Sequence, residues 1–570
     1  MKIYTCMTLF PLFAAVGLTA GCGSRGQSEP EGQTSSAQGA GSAQLDCGGN
    51  AGWPMFGQNI CNTRSLTDMG SLNSTNVSKL AVKWKFQAAG DISATPAVVA
   101  NDLYVPDWAG KMYRINAATG QVVWSVSVGT LIGGADAGAG PSDAPAPIVS
   151  RETPIVTQDS VIFGFNRGPT IGALGSLAIV VALDRQTGAL KWQTQVDAHP
   201  TAHIASSPVV NNGIVYVGVS SGEEFYSALP VVTGGAVNYP CCSFRGSIVA
   251  LNASTGQILW KTYTIDDSTY FLSDGKTPSG FAGAAVWSSP TIDRGRGSLY
   301  VTTGNNYSEP SGTGTLPPGD HIESVLSLDL NTGGIKWAQR MAPGAGDVWN
   351  LLTFLVNGPS SGGPDWDFGS SAILFQTSIN GTARQVLGAG QKSGVYWALN
   401  PDTGNVLWNT PVGPGGHLGG IHWGSAVDGQ NVYVPVNDET GVAYTLGGSG
   451  AQAGQQTTVG SWAALDPSTG AIKWQVANPA MTAPTGNGTS VNGPVSTVNG
   501  LLFGGSMDAN GTMFALDGKT GNVLWSFQSG ATVYGGPAIS KGVVYWGNGY
   551  PNARLRFGTP GGTLYAFQAQ

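Results

Sequence analysis

At 570 residues the chain has the length of roughly three or four ordinary domains, yet only 10% of its residues are charged and 86 are glycine. Its 26 Lys and Arg are outnumbered by 33 Asp and Glu, the net charge is −7, and no basic run occurs. Nucleic acid is thereby excluded as a partner, because phosphate binding draws on clustered cations.

The chain opens with Lys2, the apolar stretch LFPLFAAVGL and LTAGC ending at Cys22, the pattern of a bacterial secretory signal over 1–21. This segment is too short and too interrupted by Pro and Gly for a stable membrane span. LTAGC is similar to a lipobox, with Leu18 one place further from the cysteine than the common pattern has it. Cys22 is therefore a candidate lipid anchor, with simple cleavage as the alternative. A Gly/Ser/Gln-rich linker over 22–46 would tether a folded unit spanning 47–570 in the periplasm or cell envelope.

With Cys6 in the signal and Cys22 at its end, four cysteines remain in an oxidising compartment. Cys47 and Cys61 could staple a small loop ahead of the first repeat. Cys241 and Cys242 are adjacent, and neighbouring Cα atoms stand about 3.8 Å apart, below the usual disulfide span. A bond between them would close a strained ring of the kind kept at functional sites, the alternative being two unlinked buried thiols. The chain has no CxxCH motif, so no covalent c-type haem is expected in it.

From residue 114 onward one short phrase recurs seven times: RINAATGQVVW, ALDRQTGALKW, ALNASTGQILW, SLDLNTGGIKW, ALNPDTGNVLW, ALDPSTGAIKW and ALDGKTGNVLW, ending at Trp124, Trp192, Trp260, Trp337, Trp408, Trp474 and Trp525. Each reads as strand, tight turn through Asp or Asn and Thr-Gly, then strand, with the glycine supplying the positive φ of the turn. Two further strand-like runs precede most copies, as in SSPVVNNGIVYVGV at 206–219, giving four strands per unit and a β-propeller. An eighth unit is split between the ends of the chain: GGTLYAF at 561–567 pairs with LAVKWKF at 80–86, closing the ring and removing open sheet edges. The expected fold is all-β, an eight-bladed propeller closed by N- and C-terminal strands, its tryptophans wedged between blades. Long loops at 129–150, 221–245, 305–322 and 341–372 would build over one face.

The Trp-marked blades, the vicinal cysteines and the secretory signal together resemble the quinoprotein alcohol dehydrogenases. Segments such as YPCCSFRGSIVALNASTGQILWKTYTI, AAVWSSPTID, TTGNNYSEP, GPDWDFGSS and GQKSGVYWALNPDTG look like the polyvinyl alcohol dehydrogenase branch of that family. The resemblance implies pyrroloquinoline quinone (PQQ) and Ca²⁺ on the propeller axis. It places Glu223 in SGEEF, with Glu224 as the alternative, together with Asn305 and Asp367, at the metal; Asp367 is also the implied general base. It places Trp287 under the quinone and Lys392 at its reactive carbonyl, and makes Arg151, Ser220 and the Cys241–Cys242 pair further cofactor contacts. His422 and Trp423 could border the same pocket, without an assigned role. Two departures stand out: Cys241-Cys242 follow Glu223 within one blade instead of preceding it by a blade, and a family glutamate gives way to residues around Ser93.

The implied reaction is oxidation of a secondary alcohol, small or polymeric, to a ketone, with electrons passed in trans to a cytochrome c. A different alcohol oxidised at the same site is a second possibility. A scaffold lipoprotein that binds envelope proteins through its loops is a third, favoured only by Cys22 and the tether. Hydrolysis finds no support, since neither a GxSxG elbow nor a metal-ligand histidine cluster occurs among the five histidines.

Overall fold

The repeated phrase folds around a turn that its own side chains tie. In the third copy, strands Ser247–Asn252 and Ile258–Tyr263 pair antiparallel through Ala250 and Trp260. Between them Asn252 Oδ1 accepts the N–H groups of Ser254 and Thr255 at 2.9 and 3.1 Å, a side chain standing in for a backbone turn. Gly256 follows at φ +74°, and a Cβ there would fall 2.6 Å from the ring of Trp192 in the preceding blade. Glycine is needed twice over, for its backbone angle and for the approach of that ring.

Trp192 also donates its indole N–H to the carbonyl of Ala253 at 2.9 Å. The same latch to the next blade recurs from Trp84 to Ala117, Trp124 to Arg185, Trp260 to Leu330, Trp337 to Pro401, Trp474 to Gly518 and Trp525 to Leu80. Trp408 packs on Gly470 without such a bond. The tryptophan wedges expected from burial are thus also hydrogen-bonded.

The computed structural model describes residues 45–48, 52–67, 72–131, 148–149, 152–167, 178–235, 238–310, 315–341, 348–349, 365–439, 441–481, 492–550 and 558–570. Among them, four-stranded antiparallel sheets form eight blades. The innermost strands of blades one to eight are Ala97–Val99, Ile155–Val156, Val209–Asn211, Thr291–Asp293, Ile373–Ile379, Ala426–Val427, Ser496–Val498 and Ala538–Ser540. Blade eight closes the ring as the sequence predicts: Thr563–Ala569 pairs antiparallel with Leu80–Gln87, Trp84 opposite Ala566.

The segment 53–66 is a hub. Its carbonyls accept the N–H groups of Val98, Val156, Ile292, Leu374, Val427 and Thr497, which belong to the innermost strands of six blades. The partners follow in blade order from Trp53 to Arg64, so the segment winds round the inner wall of the propeller. Cys47 and Cys61 are disulfide-bonded beside it. Arg64, fully buried, donates to the carbonyls of Val495 and Phe56, both at 2.7 Å, and to the Ser496 hydroxyl at 3.0 Å. Burial without a carboxylate partner pulls the Arg64 guanidinium down to about 9. Above the hub, an axial cavity is lined by Phe56 and by the hydroxyls of Thr95, Thr153, Ser207, Ser289 and Ser371, and Trp287 borders it.

Candidate active site

The site is built from chain segments that leave or enter three adjacent blades. Glu224 follows strand Ile214–Ser221 of blade three, Asn305 follows Ser298–Thr302 of blade four, and Lys392 follows Thr382–Gly390 of blade five. Trp287 and Asp367 stand just before the innermost strands of blades four and five.

Asp367, buried, accepts the backbone N–H of Asn305 at 2.6 Å and the Lys392 ammonium at 3.3 Å. That approach depends on Gly304, where a Cβ would lie 2.7 Å from the Asp367 carboxylate. Lys392 also donates to Asp365 at 3.0 Å, and its Nζ stands 5.4 Å from the centre of the Trp287 ring. Burial works against the Lys392 charge, but Asp365 and Asp367 more than offset it and hold the ammonium above its ordinary range. Asn305 spends its amide N–H groups on the carbonyls of Asn306 and Trp349, at 2.6 and 2.8 Å, leaving Oδ1 buried without a hydrogen-bond partner among the described residues.

The two glutamates divide in a way the sequence reading ordered the other way round. Glu223 is fully buried and turns into the insertion after it: it accepts Tyr239 O–H at 2.5 Å and the N–H groups of Ser243 and Phe244, both at 2.8 Å. Its carboxylate holds the loop that carries the cysteines. Glu224 is the member that faces the cluster; burial, then Asp367 and Asp365, push its carboxyl well above the ordinary range.

Cys241 and Cys242 are bonded to each other, and Cys242 Sγ lies 3.8 Å from the carbonyl of Tyr307. Tyr307, unnoticed in the sequence, stacks on Phe244 with ring centres 6.2 Å apart. Burial and the charges of Glu224 and Asp367 keep its hydroxyl protonated far above the usual range. Ser220 lies near the end of its strand opposite His203, and Arg151 is outside the described residues. His422 and Trp423 do border the site, their rings 5.4 and 5.5 Å from that of Trp287. Ser93, near which the resemblance expected a departure from the family, accepts the Trp108 indole N–H at 2.7 Å.

Three carboxyl groups, Glu224, Asp365 and Asp367, thus face one ammonium, with an orphaned amide oxygen beside them. Excess negative charge and an unused hard oxygen suit an oxygen-seeking cation. Among the described residues no three His, Cys, Asp or Glu side chains form a metal cage by themselves, so Asn305 would have to take part.

The family described as "Glucose/ethanol/alcohol dehydrogenase, beta-propeller domain" matches residues 205–414, which span Glu224, Trp287, Asn305, Asp367 and Lys392. A polyvinylalcohol dehydrogenase of a Pseudomonas species is 32% identical over 541 residues, 90% of this chain and 76% of the relative. The chain belongs to the PQQ-dependent alcohol dehydrogenase family. It is accordingly an oxidoreductase of a family that carries PQQ and typically a metal ion.

The quinoprotein alcohol dehydrogenase PedH of Pseudomonas putida is 25% identical, covering 87% of this chain and 88% of the relative. The propeller repeat also matches the family described as "Outer membrane protein assembly factor BamB" over 29–276 and 459–569. In fold, the chain resembles the quinohemoprotein alcohol dehydrogenase of Comamonas testosteroni, with a TM-score of 0.65 and 20% identity over 91% of this chain and 80% of that one.

Proposed function

We propose that the protein oxidises secondary alcohols to ketones with PQQ and Ca²⁺, that polyvinyl alcohol is a substrate, and that a cytochrome c outside this chain takes the electrons. The observation that carries this reading is the buried Asp367–Lys392–Asn305 cluster beside Trp287. When bound, PQQ with its cation supplies the two-electron acceptor for the carbinol hydride. Trp287, Lys392, Ser220 and the Cys241–Cys242 loop would hold the quinone, with Arg151 as a further anchor. Glu224, Asn305 and Asp367 would hold the cation.

Asp367 takes the substrate hydroxyl proton at its carboxylate, which the Asn305 N–H and the Lys392 ammonium already orient. Lys392 adds positive charge where negative charge builds up in the reaction, and burial amplifies its effect. The name of the 32% identical relative supports polyvinyl alcohol. The disulfides agree with a periplasmic or envelope location, and no helix among the described residues is long and apolar enough to cross a membrane. Residues 1–44, with the expected signal and Cys22, lie outside the described part. A scaffold that only binds proteins would give no reason for a buried carboxylate–lysine cluster.

Calorimetric titration of the metal-free protein with PQQ tests the reading. Binding that requires Ca²⁺ and weakens about tenfold or more in Asn305→Ala is expected. A folded protein that binds no PQQ with Ca²⁺ present would overturn it.

A further inference from the structure

A second polar pair stands beside the same cluster and takes no part in the chemistry above. His417 Nε2 lies 2.9 Å from Glu439 Oε1, while the Leu418 N–H donates to Glu439 Oε2 at 3.0 Å. The His417 ring lies nearly parallel to that of Trp349, with 6.0 Å between centres and 15° between planes. Trp349 is tied to the site, since its carbonyl accepts Asn305 Nδ2 at 2.8 Å and its N–H donates to the Asn306 carbonyl at 3.1 Å. From the other side, the glycine-rich stretch 413–420 that carries His417 grips the lysine turn: the Gly416 N–H donates to the Lys392 carbonyl at 3.2 Å. The pair is therefore fixed to both Asn305 and Lys392, yet both side chains keep some exposure, 17% for His417 and 12% for Glu439.

Leu418, the next residue, packs against an aromatic row that spans blades six, eight and one. Ring centres are 5.5 Å apart from Trp287 to Trp423, 4.6 Å from Trp423 to Tyr534, 4.0 Å from Tyr534 to Tyr550 and 5.2 Å from Tyr550 to Trp108. Trp423, Leu418 and Trp108 are partly exposed. A hydrogen-bonding pair and a hydrocarbon-compatible wall thus adjoin one another beside the Lys392 turn. A small mono-alcohol would use neither. A carbon chain that bears hydroxyls at intervals would use both, its methylenes on the rings and a hydroxyl at the pair.

We propose that His417 and Glu439 form a subsite for a second hydroxyl of the substrate and set the preference of the site for a diol over a mono-alcohol. The assignment rests on the alcohol-oxidation reading. With the His417 Nε2–H turned to Glu439, the carboxylate oxygens remain acceptors for the O–H of a hydroxyl, and a site built to pair with a hydroxyl discriminates against the analogue that lacks it.

The test compares pentane-2,4-diol with pentan-2-ol, which differ by one hydroxyl, in the PQQ- and Ca²⁺-loaded protein. Diol binding is measured separately by calorimetry with no electron acceptor present. The wild type should favour the diol in kcat/KM by about tenfold or more. In His417→Ala and in Glu439→Gln that ratio should fall about tenfold, with matching loss of diol binding. A wild type with no preference, or variants that lower both alcohols in the same proportion, would overturn the subsite alone. Oxidation of neither alcohol by the wild type would overturn the reading on which it rests.

Discussion

Glu223 and Glu224 show what a single residue step decides. Their spacing in SGEEF offers two neighbouring carboxylates, and only the fold of the insertion after them settles which one faces inward. Glu223→Gln should destabilise the protein by roughly 2 to 3 kcal/mol, since it weakens three hydrogen bonds made to a buried charge. Glu224→Gln should leave the metal-free protein as stable or more stable at pH 7, because it removes a buried carboxyl repelled by two others, and should weaken Ca²⁺ binding. Urea unfolding of both variants separates the two roles. Asp365 escaped the sequence reading because an acidic residue beside an aromatic one carries no signal until Lys392 is seen to reach it. Asp320 supplies a pH prediction: burial raises its carboxyl to about 6, so its share of stability is complete below pH 4 and is lost as pH rises through 6. Asp320→Asn should therefore flatten the stability profile between pH 4 and 7, which thermal unfolding across that range would show.

At the scale of the element, the turn phrase was legible because every part of it has a local cause: Asp or Asn ties the turn, Thr closes it, glycine bends it and Trp reaches the next blade. The loops between phrases were less legible, since no local rule governs them. Gly256→Ala tests the double demand on glycine. The added Cβ would meet Trp192 and Thr194 at 2.6 and 2.7 Å in a backbone region alanine avoids, so a loss of roughly 2 to 4 kcal/mol is expected in urea unfolding. A change below about 0.5 kcal/mol would show that the wedge yields easily. The pair His417–Glu439 was invisible in the sequence, because it joins the loop entering blade six to the loop leaving that blade's second strand.

Over the whole molecule, the ring and its closure by both ends of the chain followed from the repeats, whereas the segments of the site lie between repeats and were expected only from the resemblance to a family. The hub did not follow from the repeats, because residues 53–66 lack the repeat's pattern and act through backbone carbonyls that side chains do not advertise. Its disulfide closes a short loop, separation 14, beside the axis. Replacing Cys47 and Cys61 by Ser should cost about 3 kcal/mol, read by urea unfolding, with the blades still formed by circular dichroism. The base and the lysine stand on segments between strands, and the hydrogen bonds that Asp367 accepts from Asn305 and Lys392 hold them in place, as an oriented proton transfer requires. The most direct test of that chemistry is dye-coupled oxidation of pentan-2-ol by the wild type and by Asp367→Asn, each titrated with PQQ and Ca²⁺. The account predicts turnover by the wild type only when both are present, and a variant that still binds PQQ but is slower by about 10³-fold. Turnover by the wild type without PQQ, or undiminished turnover by Asp367→Asn, would contradict it.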